Sequence, residues 1–162
     1  MNRDGFWKLI EANSAEDCYE HAENVQLALS KLSAEEIAAF SRQMREVEAE
    51  SYTWELWGAA YLINGGCSDD GFDYFRGWLM TMGRSVFEQA LKNPDSLADI
   101  EEVEEEVECE DILYVGMNAY EKVAGEELPI TTFEMPELGE SWDFDEDDEM
   151  QKRYPRLFKK FA

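Results

Sequence analysis

WELWGAAYLINGGCSDDGFDYFRGWLMTMG, residues 54–83, decides how this chain folds. From Tyr52 to Ile63 almost every position is apolar or small: Trp54, Leu56, Trp57, Ala59, Ala60, Tyr61, Leu62. A helix that is apolar on most sides belongs at the centre of a molecule rather than on its surface. Gly65 and Gly66 end it, because glycine takes the left-handed conformation at a helix C-terminus without steric cost. Ser68 then stands where an N-cap is needed, with Asp69 and Asp70 in the first turn facing the positive end of the helix dipole. Phe72, Phe75, Leu79 and Met82 recur at spacings of three and four, Tyr74 and Trp78 form a second stripe, and Asp69, Asp73 and Arg76 share a third face within salt-bridge reach. Gly71 and Gly77 omit side chains where another helix can approach closely, and Gly83 permits a break. Two helices hinged on a Gly-Gly turn are the signature of an all-α fold.

The flanks agree. Asp4 is expected to cap a short helix holding Phe6, Trp7, Leu9 and Ile10, and Ser14 with Asp17 to open a helix running to about Leu32. Ser33 and Glu36 form a full capping box before Ile37, Phe40, Met44 and Val47. A segment from Ser85 to Leu91 is closed by Asn93, Pro94 and Asp95. Ile112 to Ala124 reads as one amphipathic helix ended by Gly125. The acidic run from Glu101 to Asp111 carries only Val103 and Val107 as an apolar stripe and reads as either a solvated helix tethered by those valines or a partly disordered stretch, with the helix preferred. Glu126 to Trp142 reads as an extended loop, with a weak strand candidate at Pro129 to Phe133. The expectation is one compact all-α domain of six to eight helices over residues 1–125, followed by an acidic, partly extended C-terminal segment, 126–162, with a basic end.

Charge is the unusual quantity. The 162 residues hold 14 Lys and Arg against 38 Asp and Glu, a net of −24. Residues 1–92 have 16 acids and 8 bases, residues 93–151 have 22 acids and the single base Lys122, and the last eleven residues carry five bases and no acid. Such a field repels phosphate backbones and anionic membranes, and attracts a basic protein. Simple solubility is the competing explanation. Cys18, Cys67 and Cys109 are odd in number and widely spaced, so no disulfide framework is expected. The start, MNRDGFWKLI, lacks a basic region followed by a long apolar run, and no stretch reaches the length of a membrane span. A soluble protein of a reducing, cytoplasmic compartment is expected.

FWKLI at the start, YTWELWGAAYLINGGCSDDGFDYFRGWLMTMGRSVFEQAL and NPDSLAD together resemble the bacterial domain-of-unknown-function family numbered 4240, over about residues 1–120. Trp54, Trp57, Asp69, Asp70, Phe75, Arg76, Trp78 and Gly83 carry the likeness. The resemblance implies fold boundaries and no activity or cofactor.

Three other clusters invite chemistry. Cys18 and His21, one helical turn apart, are half of a zinc site, but completing it would need Cys67 and Cys109 from distant segments. Asp143, Asp145 and Asp147 begin like a calcium loop, yet the sixth position is Asp148 instead of glycine and the twelfth is Tyr154 instead of glutamate. Asp69, Asp70, Asp73, Arg76 and Arg84 form a polar set beside a flexible turn, able in principle to hold a cation or an anionic substrate. No nucleophile and base accompany them, which favours a non-enzyme without cofactor or metal. Trp142 and Phe144 among acids are either an interaction segment or a pin holding the tail to the domain.

The functional expectation is a cytoplasmic acidic binding domain for a basic protein, in its most concrete form an immunity protein against a nucleic-acid-targeting toxin. Its contact residues would be Glu101, Glu102, Glu104, Glu105, Glu108, Asp143, Asp145, Asp147, Asp148 and Trp142. The alternative is an enzyme or small-ligand site at residues 68–84. A third possibility is a regulatory module whose acidic tail shields its own surface.

Overall fold

A computed structural model describes residues 1–101, 107–129 and 134–162. Among them are nine α-helices, two 3-10 helices and no strand, so the protein is all-α. The helices are α1 (Arg3–Ala12), α2 (Cys18–Leu29), α3 (Ala34–Glu50), α4 (Trp54–Asn64), α5 (Asp69–Thr81), α6 (Arg84–Lys92), α7 (Val115–Ala124), α8 (Asp147–Arg153) and α9 (Pro155–Phe161). The 3-10 helices are Pro94–Asp99 and Asp111–Tyr114, the second running directly into α7.

Caps set most of the boundaries. Ser33, Thr53 and Ser68 accept the backbone N–H of Glu36, Leu56 and Gly71 and so start α3, α4 and α5. Two starts differ from the sequence-based expectation. Asn2, not Asp4, caps α1 by accepting the Gly5 N–H at 2.8 Å, and Asp17, not Ser14, caps α2 through the Glu20 N–H at 2.7 Å. In both cases the residue at N-cap geometry holds the bond, and the residue chosen from the sequence lies inside or ahead of the helix. Gly65 ends α4 at φ 68°, as its position after the apolar run requires.

The central helix is α4. Its Leu56, Trp57, Ala59, Ala60 and Ile63 are buried, and Trp57 stacks on Phe72 of α5 at 4.7 Å between ring centroids. Around this pair lie Phe6 and Ile10 of α1, Phe40 of α3, Phe75 and Leu79 of α5 and Phe87 of α6, all essentially inaccessible to solvent. Helices α2 and α3 pack on α7, α1 sits against α2, α3 and α5, and α9 packs on α4 and the Pro94–Asp99 turn.

The acidic run expected to be a helix is not one where it is described, at Glu101 and from Val107 to Glu110. Val107 to Cys109 carries no regular secondary structure. The Asn64 side chain donates to the Val107 carbonyl (3.2 Å) and accepts the Val107 N–H (2.9 Å), while the Cys109 N–H donates to the Tyr74 carbonyl at 2.8 Å. A side-chain amide satisfies both backbone groups, so the segment gains nothing by coiling. Gly77 makes the approach possible: a Cβ there would collide with the Cys109 carbonyl oxygen. The Pro129–Phe133 strand candidate falls almost wholly outside the described residues.

Cys18 and Cys109 are joined by a disulfide, with Cα atoms 5.8 Å apart, which corrects the expectation drawn from their odd number and spacing. Cys67 remains a thiol. The C-terminal segment also holds more structure than its composition suggests. Met150 of α8, Tyr154 at the junction between the two last helices, and Leu157 of α9 belong to the core. Asp95 is buried and caps α9, accepting the Arg156 and Leu157 N–H groups at 3.2 and 2.9 Å. Among the described residues no helix is long and apolar enough to cross a membrane.

Candidate functional site: an acidic face gathered at the end of helix α4

Asp69 and Asp70 lie exposed in the first turn of α5, and Asp73 one turn further on. Of the three carboxylates only Asp73 reaches Arg76, at 2.5 Å. The guanidinium itself is buried, 2% exposed. It donates a second bond to the Glu48 carbonyl at 2.6 Å and lies over Phe72 and Tyr52, 4.7 and 5.2 Å from their ring centroids. Its Nε–H is the group left without a partner. Arg76 thus ties α5 to the end of α3 rather than presenting a charge to solvent. Burial raises the Glu48 carboxyl pKa, with Arg76 pulling it back, and burial pushes the Cys67 thiol up to about 11. Arg84 does not join this group. It stands past the far end of α5, bound to Asp4 at 2.6 Å and Glu88 at 2.9 Å.

Glu102, Glu104 and Glu105 lie outside the described residues. Glu101 and Glu108, on either side of them, are exposed, as are Asp143, Asp145, Asp147 and Asp148. Asp145 accepts the Tyr61 hydroxyl at 2.5 Å, the Asp143 carboxylate accepts the Asp145 N–H at 2.9 Å, and Asp147 and Asp148 open α8, where negative charge suits a helix start. Trp142 is half-buried. Its indole N–H points to the Met150 sulfur at 3.3 Å, and the Arg153 guanidinium lies 3.7 Å from its ring centroid. It works as a pin, with Phe144 packed against Trp54 and Tyr61.

Tyr61 and Asn64 are three residues apart on α4, hence neighbours on its surface. One holds Asp145 and the other holds Val107, so the end of a single helix anchors both acidic segments. A second junction was not visible in the sequence. The Tyr114 hydroxyl donates to Glu110 at 2.9 Å. That bond, with the negative charges of Glu110 and Asp70, raises the phenol to about 12. Tyr74 is raised by burial first and then by the same two carboxylates. The N-terminus of α5 and the end of the acidic run therefore meet around two tyrosines, a meeting that no local spacing encodes.

The remaining motifs dissolve into the fold. His21 is buried and its Nε2–H donates to the Ile10 carbonyl at 2.8 Å, while Cys18 is occupied by its disulfide. Among the described residues no three His, Cys, Asp or Glu side chains are grouped to hold a metal ion. The basic end lies along the surface over residues 98–100: Arg156 pairs with Asp99, and the Lys160 ammonium donates to the carbonyls of Ala98 and Ile100.

A family model described as "Protein of unknown function (DUF4240)" matches residues 1–122, so the chain belongs to that family. Comparison with curated proteins and with solved structures gave no match.

Proposed function

For this member of the DUF4240 family, we propose a role as an acidic cytoplasmic binding domain for a basic protein, in its most concrete form an immunity protein that neutralises a toxin acting on nucleic acid. The observation that carries this reading is the joint anchoring of the two acidic segments at the end of α4. It is reinforced by the exposure of Glu101, Glu108, Asp143, Asp147 and Asp148, which leaves five carboxylates open to a partner. A toxin that cuts or modifies nucleic acid needs a basic cleft for phosphates, and a carboxylate surface competes for that cleft and steers the encounter.

The test is affinity capture from native lysate, including products of neighbouring genes, at physiological salt. One basic protein should be retained. It should be lost from a variant with Glu101, Glu108, Asp143, Asp147 and Asp148 changed to their amides. Binding indifferent to those changes, or confined to low salt, sinks the reading. The enzymatic alternative has the unpartnered Arg76 Nε–H in its favour. It requires that Asp70→Asn or Arg76→Ala abolish an activity without lowering the melting temperature.

A further inference from the structure

Helix α2 lies beside the segment from Asp111 through α7, and a groove of about 410 Å³ runs between them. Tyr19 and Tyr114 form its rims, 68% and 40% exposed. Glu23 and Asp111 supply carboxylates, Ala22 an apolar floor, and Gln26 and Asn118 close one end by an amide–amide hydrogen bond of 3.1 Å. Neither lysine nor arginine lines it.

The surroundings are as telling as the lining. Eight large hydrophobic side chains are exposed among the described residues, and five of them, Tyr19, Leu27, Tyr114, Met117 and Val123, stand on α2, the Asp111–Tyr114 turn or α7. Tyr19, Glu23 and Leu27 follow each other at four-residue steps along α2, and Tyr114, Met117 and Asn118 share a face by the same rule. Apolar surface concentrated on adjoining elements of an otherwise highly charged protein marks a place where something docks.

We propose that this groove seats an arginine side chain from the basic partner, an inference that rests on the binding reading above and names its point of contact. A guanidinium is the group that uses all of the lining. It stacks on tyrosine rings, takes up carboxylates in charge-assisted hydrogen bonds, and lays its aliphatic stem on a small apolar floor. The flanking residues of the same segment then cover Leu27 and Met117. Glu110, by holding the Tyr114 hydroxyl, fixes one of the two rings before the ligand arrives.

The probe is an acetylated, amidated tetra-arginine peptide, with the tetra-citrulline peptide as its uncharged isostere. Both are titrated into ¹⁵N-labelled protein. Tetra-arginine should shift the amides of residues 18–27 and 110–118, and tetra-citrulline should not. Tyr19→Ala and the double variant Glu23→Gln, Asp111→Asn, all at exposed positions, should each weaken the tetra-arginine response by about tenfold while leaving the rest of the spectrum in place. Shifts spread over residues 143–149 and other acids, an equal response to citrulline, or unchanged affinity in the variants overturns the groove. If a captured basic partner binds the double variant as well as it binds the parent, the groove is wrong and the binding reading survives. If tetra-arginine maps to the groove and no basic partner is retained, the arginine site stands and the binding reading fails.

Discussion

Gly77 lacks a side chain because the Cys109 carbonyl oxygen occupies the space that a Cβ would need, with Ile112 pressing from beside it. Gly77→Ala must therefore push the segment 107–109 off α5 or bend the helix. The expected loss is about 1–3 kcal/mol, the usual penalty for overpacking a tight contact, read as a lower denaturation midpoint in a chain that still folds. An unchanged midpoint would mean that the segment moves freely and that the Asn64 clamp does not hold it. At this scale the sequence is informative up to a limit. It identifies Gly77 as a point of close approach, but the neighbour it admits is a non-helical stretch, where a helix was the natural guess. Arg76 is legible as a partner of Asp73, and its complete burial is not, since the aromatic box of Phe72 and Tyr52 assembles only when α3 and α5 are docked. Asp95 is the clearest case. It reads as the end of α6, and its work as a cap is done for a helix whose N–H lies 62 positions later.

The helices encoded by the periodic segments of α3 and α5 and by the all-round apolar run of α4 stand where their caps and glycines put them. Helices α8 and α9 have seven residues each, too short for an apolar stripe to show a period, and their stability comes from what they cover. Met150, Tyr154 and Leu157 are 1%, 2% and 0% exposed. Tyr154 reaches across to donate its hydroxyl to the Glu55 carbonyl at 2.6 Å beside Gly58. Each such side chain contributes about 1.5–3 kcal/mol on burial, so together they match much of a typical domain's total stability. A chain cut after Gly125 is accordingly expected to lose cooperative unfolding and to bind a hydrophobic dye. Should the 1–125 fragment instead melt like the full chain, residues 126–162 are an appendage after all.

Across the whole molecule the Cys18–Cys109 bridge is the longest covalent tie, spanning 91 positions. Pairing of this kind is beyond a single sequence, because three cysteines allow three bridges and nothing in their spacing selects one. Closing so long a loop restricts the unfolded chain by about 4–5 kcal/mol in the entropic account. Reduction should lower the melting temperature of the parent protein and leave a Cys18→Ser variant unaffected. Three alkylatable thiols in the untreated, unfolded protein would contradict the bridge. In a reducing cytoplasm, where thiols are kept apart, the protein would live permanently at the lower stability. The aromatic seam along α4 has a consequence of another kind. Trp54 stacks on Trp57 at 5.2 Å, meets the edge of Phe144, and donates its indole N–H to the Gly139 carbonyl. Two chromophores of the central helix are thereby held in a fixed, asymmetric arrangement by the C-terminal segment. Near-ultraviolet circular dichroism depends on such fixed packing. The protein therefore carries its own optical gauge, one that dims when the tail lifts away and needs no label to be read.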